Sequence, residues 1–170
     1  MNRKLFVLAV LFGIAGLRVQ AEGFLSSADR EVLATCMVLE AGGEGQDGMQ
    51  AVLNVILNRA DGNLTRMMPE TVKYGAFSCM SSIWRVEEPD YSPLIRRAMN
   101  QPAVYEEALK LVAIMEQGLL TDNTGGATHY HADYVTPYWA ASLRYITTIG
   151  SHLFYTERAR EVALIENRPS

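Results

Sequence analysis

Cysteine, basic charge and long apolar runs are all scarce in this chain, and each shortage closes off a class of function. Only Cys36 and Cys79 occur among 170 residues, with no metal-site spacing, so neither a thiolate metal site nor a disulfide framework organises the fold. The two could pair in an oxidising space or sit as free, buried thiols, and spacing alone leaves both open. Fifteen Lys and Arg stand against 19 Asp and Glu, a formal charge of −4. A chain of that sign suits neither nucleic-acid phosphates nor an anionic membrane surface. Repeats, low-complexity segments, linkers and an HExxH-type helix are also missing, which leaves one ordinary domain.

The single long apolar run is at the start. Met1-Asn2-Arg3-Lys4 is basic, Leu5 to Leu17 is almost unbroken apolar sequence, and Val19-Gln20-Ala21 ends it with modest side chains. That order is a secretory signal, expected over residues 1–21 with cleavage after Ala21. The run is shorter than the roughly 20 residues a membrane span needs. Cleavage would remove Arg3, Lys4 and Arg18 and no acid, taking the charge from −4 to −7. Residues 22–170 are then expected as one exported catalytic domain, periplasmic or extracellular, without stable membrane insertion.

Ser26-Ser27-Ala28-Asp29 carries a hydroxyl cap and a first-turn acid, so a helix is predicted from there to Leu39 or Glu40, ending at Gly42-Gly43. Met49, Val52, Leu53 and Ile56 recur at helical spacing and predict a second helix over 46–59, closed by Asp61-Gly62-Asn63. Short helical turns are expected near Pro69 to Tyr74. Ser92-Pro93 reads as cap and first helical residue, and Gln101-Pro102 repeats that signal for a longer helix. Its inner face is read as Ala108, Leu109, Val112 and Met115, with Gly118 at its end. Ala127–His131 and Tyr145–Tyr155 are rich in Thr, Tyr, Ile and Phe and predict short strands. Residues 156–170 read as a charged peripheral tail. The fold class expected is α+β, mostly helical, with a small antiparallel sheet late in the chain.

One carboxylate is out of place. Leu33, Cys36 and Met37 mark the apolar stripe of the first helix, and Glu40, seven positions after Leu33, falls only about 20° off it. A glutamate there is costly unless it is paired or used. Ala41-Gly42-Gly43-Glu44-Gly45 follows with almost no side-chain bulk, so a large ligand can approach. A general acid suits such a position.

These residues belong to a longer pattern. Glu40-Ala41-Gly42-Gly43-Glu44-Gly45, Gly48-Met49-Gln50-Ala51-Val52, Asn58-Arg59, Phe77-Ser78-Cys79 and Gly126-Ala127-Thr128-His129-Tyr130-His131 follow one another. Pro137-Tyr138-Trp139-Ala140 and Ile149-Gly150-Ser151-His152-Leu153-Phe154-Tyr155 complete the series. In this order and over about residues 30 to 155, the sequence resembles the bacterial cell-wall hydrolases of the spore-cortex-lytic (SleB/CwlJ) type. It departs at Gly42, where the family's commonest form has arginine. The resemblance implies a lysozyme-like fold and cleavage of the peptidoglycan glycan strand between N-acetylmuramic acid and N-acetylglucosamine, with Glu40 as the acid.

A glycosidic bond needs an acid and either a second carboxylate or an internal nucleophile. The muramyl 6-hydroxyl supplies the latter in a lytic transglycosylase, where one glutamate acts as acid and then base without metal or cofactor. Glu44, read as capping the second helix through its backbone amides, leaves Glu40 without an equal partner. Tyr130, Tyr138 and Trp139 can stack on sugar faces or pack in the core. Ser78 and Thr128 are candidate donors to sugar hydroxyls, and Glu44, His131, Trp139 and His152 are candidate cleft residues. An alternative enzyme is an N-acetylmuramoyl-L-alanine amidase with zinc on His129, His131, Asp133 and His152. Another alternative is a wall-binding module without catalysis.

Overall fold

The computed structural model describes residues 24–157. The expected signal peptide, and the part of the expected tail beyond Glu157, lie outside the described residues.

Ser26 caps the first helix, α1 (Ser27–Ala41), through a reciprocal capping box with Asp29. That arrangement satisfies two otherwise orphaned N–H groups and fixes where the helix begins. Its stripe runs through Leu33, Cys36 and Met37, all fully buried. α1 packs against α2 (Gly45–Arg59), α4 (Ser92–Met99) and α5 (Pro102–Glu116), and is therefore the central helix. Met49, Leu53 and Ile56 of α2 and Val112 of α5 close over it, each such side chain being worth about 1.5–3 kcal/mol of burial. On the rim, the Arg30 guanidinium grips both oxygens of Glu116 at 2.8 and 2.9 Å and ties α1 to α5.

Between α2 and α4 the chain forms α3 (Leu64–Val72) and a 3-10 segment, Ser78–Ile83. Asn63 caps α3, and Pro69 sits inside it. The helix is longer than the turns expected around Pro69, because the cap lies six residues upstream of the proline. Ser92 is the first residue of α4 rather than its cap, which falls on Tyr91. On α5, Ala108, Val112 and Met115 are buried as expected, while Leu111 joins that face and Leu109 is only partly buried.

The sheet has three strands, β1 (His129–Ala132), β2 (Arg144–Ile149) and β3 (His152–Thr156), in the order β1-β3-β2, all antiparallel. The stretch 145–155 holds two of the expected short strands, joined as a hairpin. Gly150 makes its tight turn at φ 57°, a value glycine accepts without strain. β3 continues through Thr156, so the stretch expected as tail begins inside the fold.

A polar ladder on α2 sets the sheet in place. Gln50 Nε2 and Asn54 Nδ2 donate to the Thr121 carbonyl at 2.8 and 3.1 Å. Asn58 Nδ2 reaches the Ala127 carbonyl at 3.0 Å, and Arg59 Nε the Thr128 carbonyl at 2.6 Å. Asp122 folds the intervening loop on itself, accepting from the Thr124 and Gly126 amides at 2.8 and 2.6 Å. Among the described residues no helix is long and apolar enough to cross a membrane.

Candidate active site

Glu40 lies in the last turn of α1, half-buried at the surface. The helix C-terminus is the negative end of its dipole and offers a carboxylate no help, so the donors come from elsewhere. Cys79 N and Ser78 Oγ, at the start of the 3-10 segment, donate to Glu40 Oε1 at 2.7 and 3.0 Å. Tyr130 Oη, from β1, donates to Oε2 at 2.8 Å. Three donors from two separate elements fix both oxygens of one carboxylate. Burial and the neighbouring Glu40 hold the Tyr130 phenol well above its ordinary pKa, so it stays a neutral hydroxyl.

Glu44 is placed differently from the sequence reading. It stands at the head of α2 but its side chain makes no capping bond. Instead Oε1 accepts from Ser151 N at 3.0 Å and from Ser151 Oγ, and Oε2 lies 2.9 Å from His152 Nδ1. The reason is steric. A Cβ on Gly48 would stand 2.6 Å from Glu44 Cβ, and one on Gly150 would stand 2.6 Å from Glu44 Cδ. These two glycines open a slot that leads the carboxylate to the β2–β3 turn. Burial alone would raise the Glu44 pKa, but the bonds from Ser151 and His152 outweigh it and leave the carboxyl below its ordinary value.

The two glutamates are linked through rings. His152 meets the Tyr130 ring edge-on at 5.0 Å, and Tyr130 packs on Phe154 at 5.5 Å and on Phe77 at 6.2 Å. Strand register explains the grouping. Tyr130 faces Phe154, and Ala132 faces His152, so these side chains share the sheet face turned to the helices.

His131 is on the other face and does not meet Glu40. It stacks on Tyr155 at 5.2 Å, and its Nε2 is 3.0 Å from the Tyr155 hydroxyl. Trp139 joins that face, 5.4 Å from His129 and 5.6 Å from His131. Tyr138 is almost fully exposed. The Thr128 hydroxyl, expected to meet sugar, is buried and donates to Glu157 Oε2 at 3.0 Å. The alternative zinc set is split as well, because His152 lies across the sheet from His129 and His131. Cys36 and Cys79 are free thiols with sulfurs 3.8 Å apart.

Beside this site opens a cleft of about 420 Å³, lined in part by Arg59, Lys73, Tyr74, His129 and Trp139. Glu40 is not among its lining residues; buried Phe77 lies near both, with Arg59 Cζ 5.1 Å from its ring and the Tyr130 ring 6.2 Å from it. Sequence reasoning gave no role to the Cys79 amide, because a backbone donor leaves no residue signature. It also missed the α2 ladder, although Gln50, Asn54 and Asn58 recur every four residues, which puts them on one helix face.

The family described as Cell Wall Hydrolase matches residues 43–155 of the chain. The catalytic domain of the Bacillus cereus SleB protein superposes with a TM-score of 0.57 at 26% identity, covering 83% of this chain and 99% of that one. The catalytic domain of the germination-specific lytic transglycosylase SleB from Bacillus anthracis gives 0.57 and 26%, covering 79% and 98%. No curated protein matches. With these neighbours the mostly helical α+β domain falls in the lysozyme-like class.

Proposed function

The chain belongs to the cell wall hydrolase family, and from that premise we propose that it cleaves the glycan strand of peptidoglycan as a lytic transglycosylase with Glu40 as its acid and base. The bond cut is that between N-acetylmuramic acid and N-acetylglucosamine. Protonated Glu40 gives its proton to the glycosidic oxygen as the C1–O bond breaks. The muramyl 6-hydroxyl then attacks C1 and returns its proton to the carboxylate, so no water is consumed and a 1,6-anhydro end forms. The basic and apolar start of the chain supports export to where such strands lie.

The observation that carries this reading is the inequality of the two glutamates. Glu44 is tied by Ser151 and His152, whereas Glu40 is half-exposed and held only by groups that orient it. One available carboxyl fits the route that needs one. The donor set also fits a group that changes protonation. The Cys79 amide can only donate and keeps Oε1 as acceptor. The Tyr130 hydroxyl can turn from donating to accepting, which makes Oε2 the oxygen able to carry the proton. The Bacillus anthracis neighbour, named a lytic transglycosylase, supports the same route.

The test is mass spectrometry of muropeptides released from purified peptidoglycan by the chain and by Glu40→Gln. Anhydromuramyl ends should form with the first and vanish with the second. Free stem peptides released by both would remove Glu40 from the reaction.

A further inference from the structure

The cleft beside Phe77 is lined by two cations, Arg59 and Lys73, and by two carboxylates, Glu70 and Glu157, whose closest partners are groups other than Arg59. Lys73 Nζ is 3.6 Å from Glu70, and Glu157 accepts from Thr128 with His129 Nδ1 3.8 Å away. Arg59 has no carboxylate within ion-pair distance among the described residues; its Nε is used by the Thr128 carbonyl at 2.6 Å. Arg59 lines the cleft, and its guanidinium has further N–H donors beyond Nε. Burial and then the charge of Arg59 push the His129 pKa down against the opposing pull of Glu157, which places the Arg59 charge within electrostatic reach of this wall of the cleft. Tyr74 and Trp139 give the cleft aromatic walls.

One chain segment joins the cleft to Glu40. The segment 74–79 lines the cleft with Tyr74, Gly75 and Ala76, then supplies the Ser78 and Cys79 donors to Glu40. Phe77 neighbours both Arg59, whose Cζ is 5.1 Å from its ring, and Tyr130, whose ring centroid is 6.2 Å away. A glycan backbone of N-acetylated sugars is neutral. The carboxylates of the polymer are those of the stem peptide or, where the stem has been removed, of the lactyl ether on muramic acid.

We propose that Arg59 and its cleft bind a carboxylate substituent of the glycan strand, gripped by the guanidinium while Glu40 acts on the neighbouring glycosidic bond. This rests on the glycan-strand reading above. A guanidinium fork matches a carboxylate in two parallel hydrogen bonds, and the site would set which muramyl residue is presented for cleavage.

Four substrates test it: strands with intact stems, strands stripped to the lactyl carboxylate, and each of these with its carboxyls amidated to neutral groups. KM and kcat for anhydromuramyl products are measured for the chain, Arg59→Gln and Arg59→Lys. Amidation should raise KM roughly ten- to a hundredfold, as expected for a charge-assisted pair, with kcat little changed. A loss confined to stem-bearing strands assigns the stem carboxylate; a loss confined to stripped strands assigns the lactyl group. Arg59→Gln should show the raised KM on the charged strand and no further response to amidation, with Arg59→Lys in between. Unchanged KM on both amidated substrates, measured on the unsubstituted chain and so independent of any folding defect, would overturn the site while leaving glycan cleavage intact. Free stem peptides in place of anhydro ends would instead refute the glycan reading, and this proposal with it.

Discussion

Replacing Gly150 by alanine tests whether the slot for Glu44 is a structural necessity. The new Cβ would stand 2.6 Å from Glu44 Cδ and Oε2 and 3.1 Å from Cγ. Those atoms end a flexible side chain, and a free glutamate would swing aside at little cost. This one is fixed by Ser151 N, Ser151 Oγ and His152 Nδ1, so yielding means forfeiting hydrogen bonds to a charge, and staying means overpacking. Either way the cost is about 1–3 kcal/mol. The φ of 57° adds about 1–2 kcal/mol for any residue with a Cβ. Gly150→Ala should therefore destabilise by about 2–5 kcal/mol in the native background, and by only about 1–2 kcal/mol once Glu44→Ala has removed the colliding atoms. Equilibrium urea unfolding of the four proteins of this cycle, with m-values checked for constancy, gives the coupling. Equal penalties in both backgrounds would refute the steric argument, and the account of why a glycine stands there would reduce to its backbone angle.

Acid stability and the Tyr130 hydroxyl supply two further tests. The Glu44 pKa is depressed in the fold, so the stability it contributes is present above its ordinary value of 4.5 and is lost as pH falls through the folded value. The His129 pKa is depressed too, chiefly by burial, so folding favours the neutral ring and stability falls as pH drops below 6.5. Urea midpoints against pH should show both declines; Glu44→Gln should abolish the lower and His129→Gln the upper, and a profile unmoved by either substitution would contradict the assignment. Tyr130→Phe removes one of three donors from Glu40 while keeping the ring packing, and should lower kcat by roughly tenfold or more at nearly constant KM. A rise in KM alone would make Tyr130 a sugar-stacking residue instead.

What could be read in advance was what local chemistry writes into side chains. A serine cap with its aspartate, prolines at two helix starts and the spacing of Met49, Leu53 and Ile56 announced four helices to within a few residues. Glu40 was legible because a carboxylate had no business on that stripe and the residues after it had no bulk. The rest depends on contacts that residue types do not carry. Glu44 looked like a helix cap because it heads a helix, and only the distant Ser151 and His152 reveal its partner. His131 was read as a cleft residue, yet strand alternation sends it, as the neighbour of Tyr130, to the face away from Glu40, where it meets Trp139, which does line the cleft. Long-range register decides such assignments.

That alternation also explains why one short sheet can serve two purposes. Its inner face carries Tyr130 and His152, and through them the Glu44–Ser151 anchor steadies a donor to Glu40. Its outer face carries His129 and His131 against Trp139, beside the cleft that Arg59 borders. A one-residue slip of β1 against β3 would exchange the two faces and lose both sites together. The α2 ladder, from Gln50 to Arg59, holds the loop that leads into β1 and so guards the register from the side where the strand begins. Arg59 is the last rung of that ladder and a wall of the cleft, so any substitution there has to be judged by its effect on Tyr130 and Glu40 as well as on the ligand; the amidated substrates make the distinction because they leave the ladder untouched.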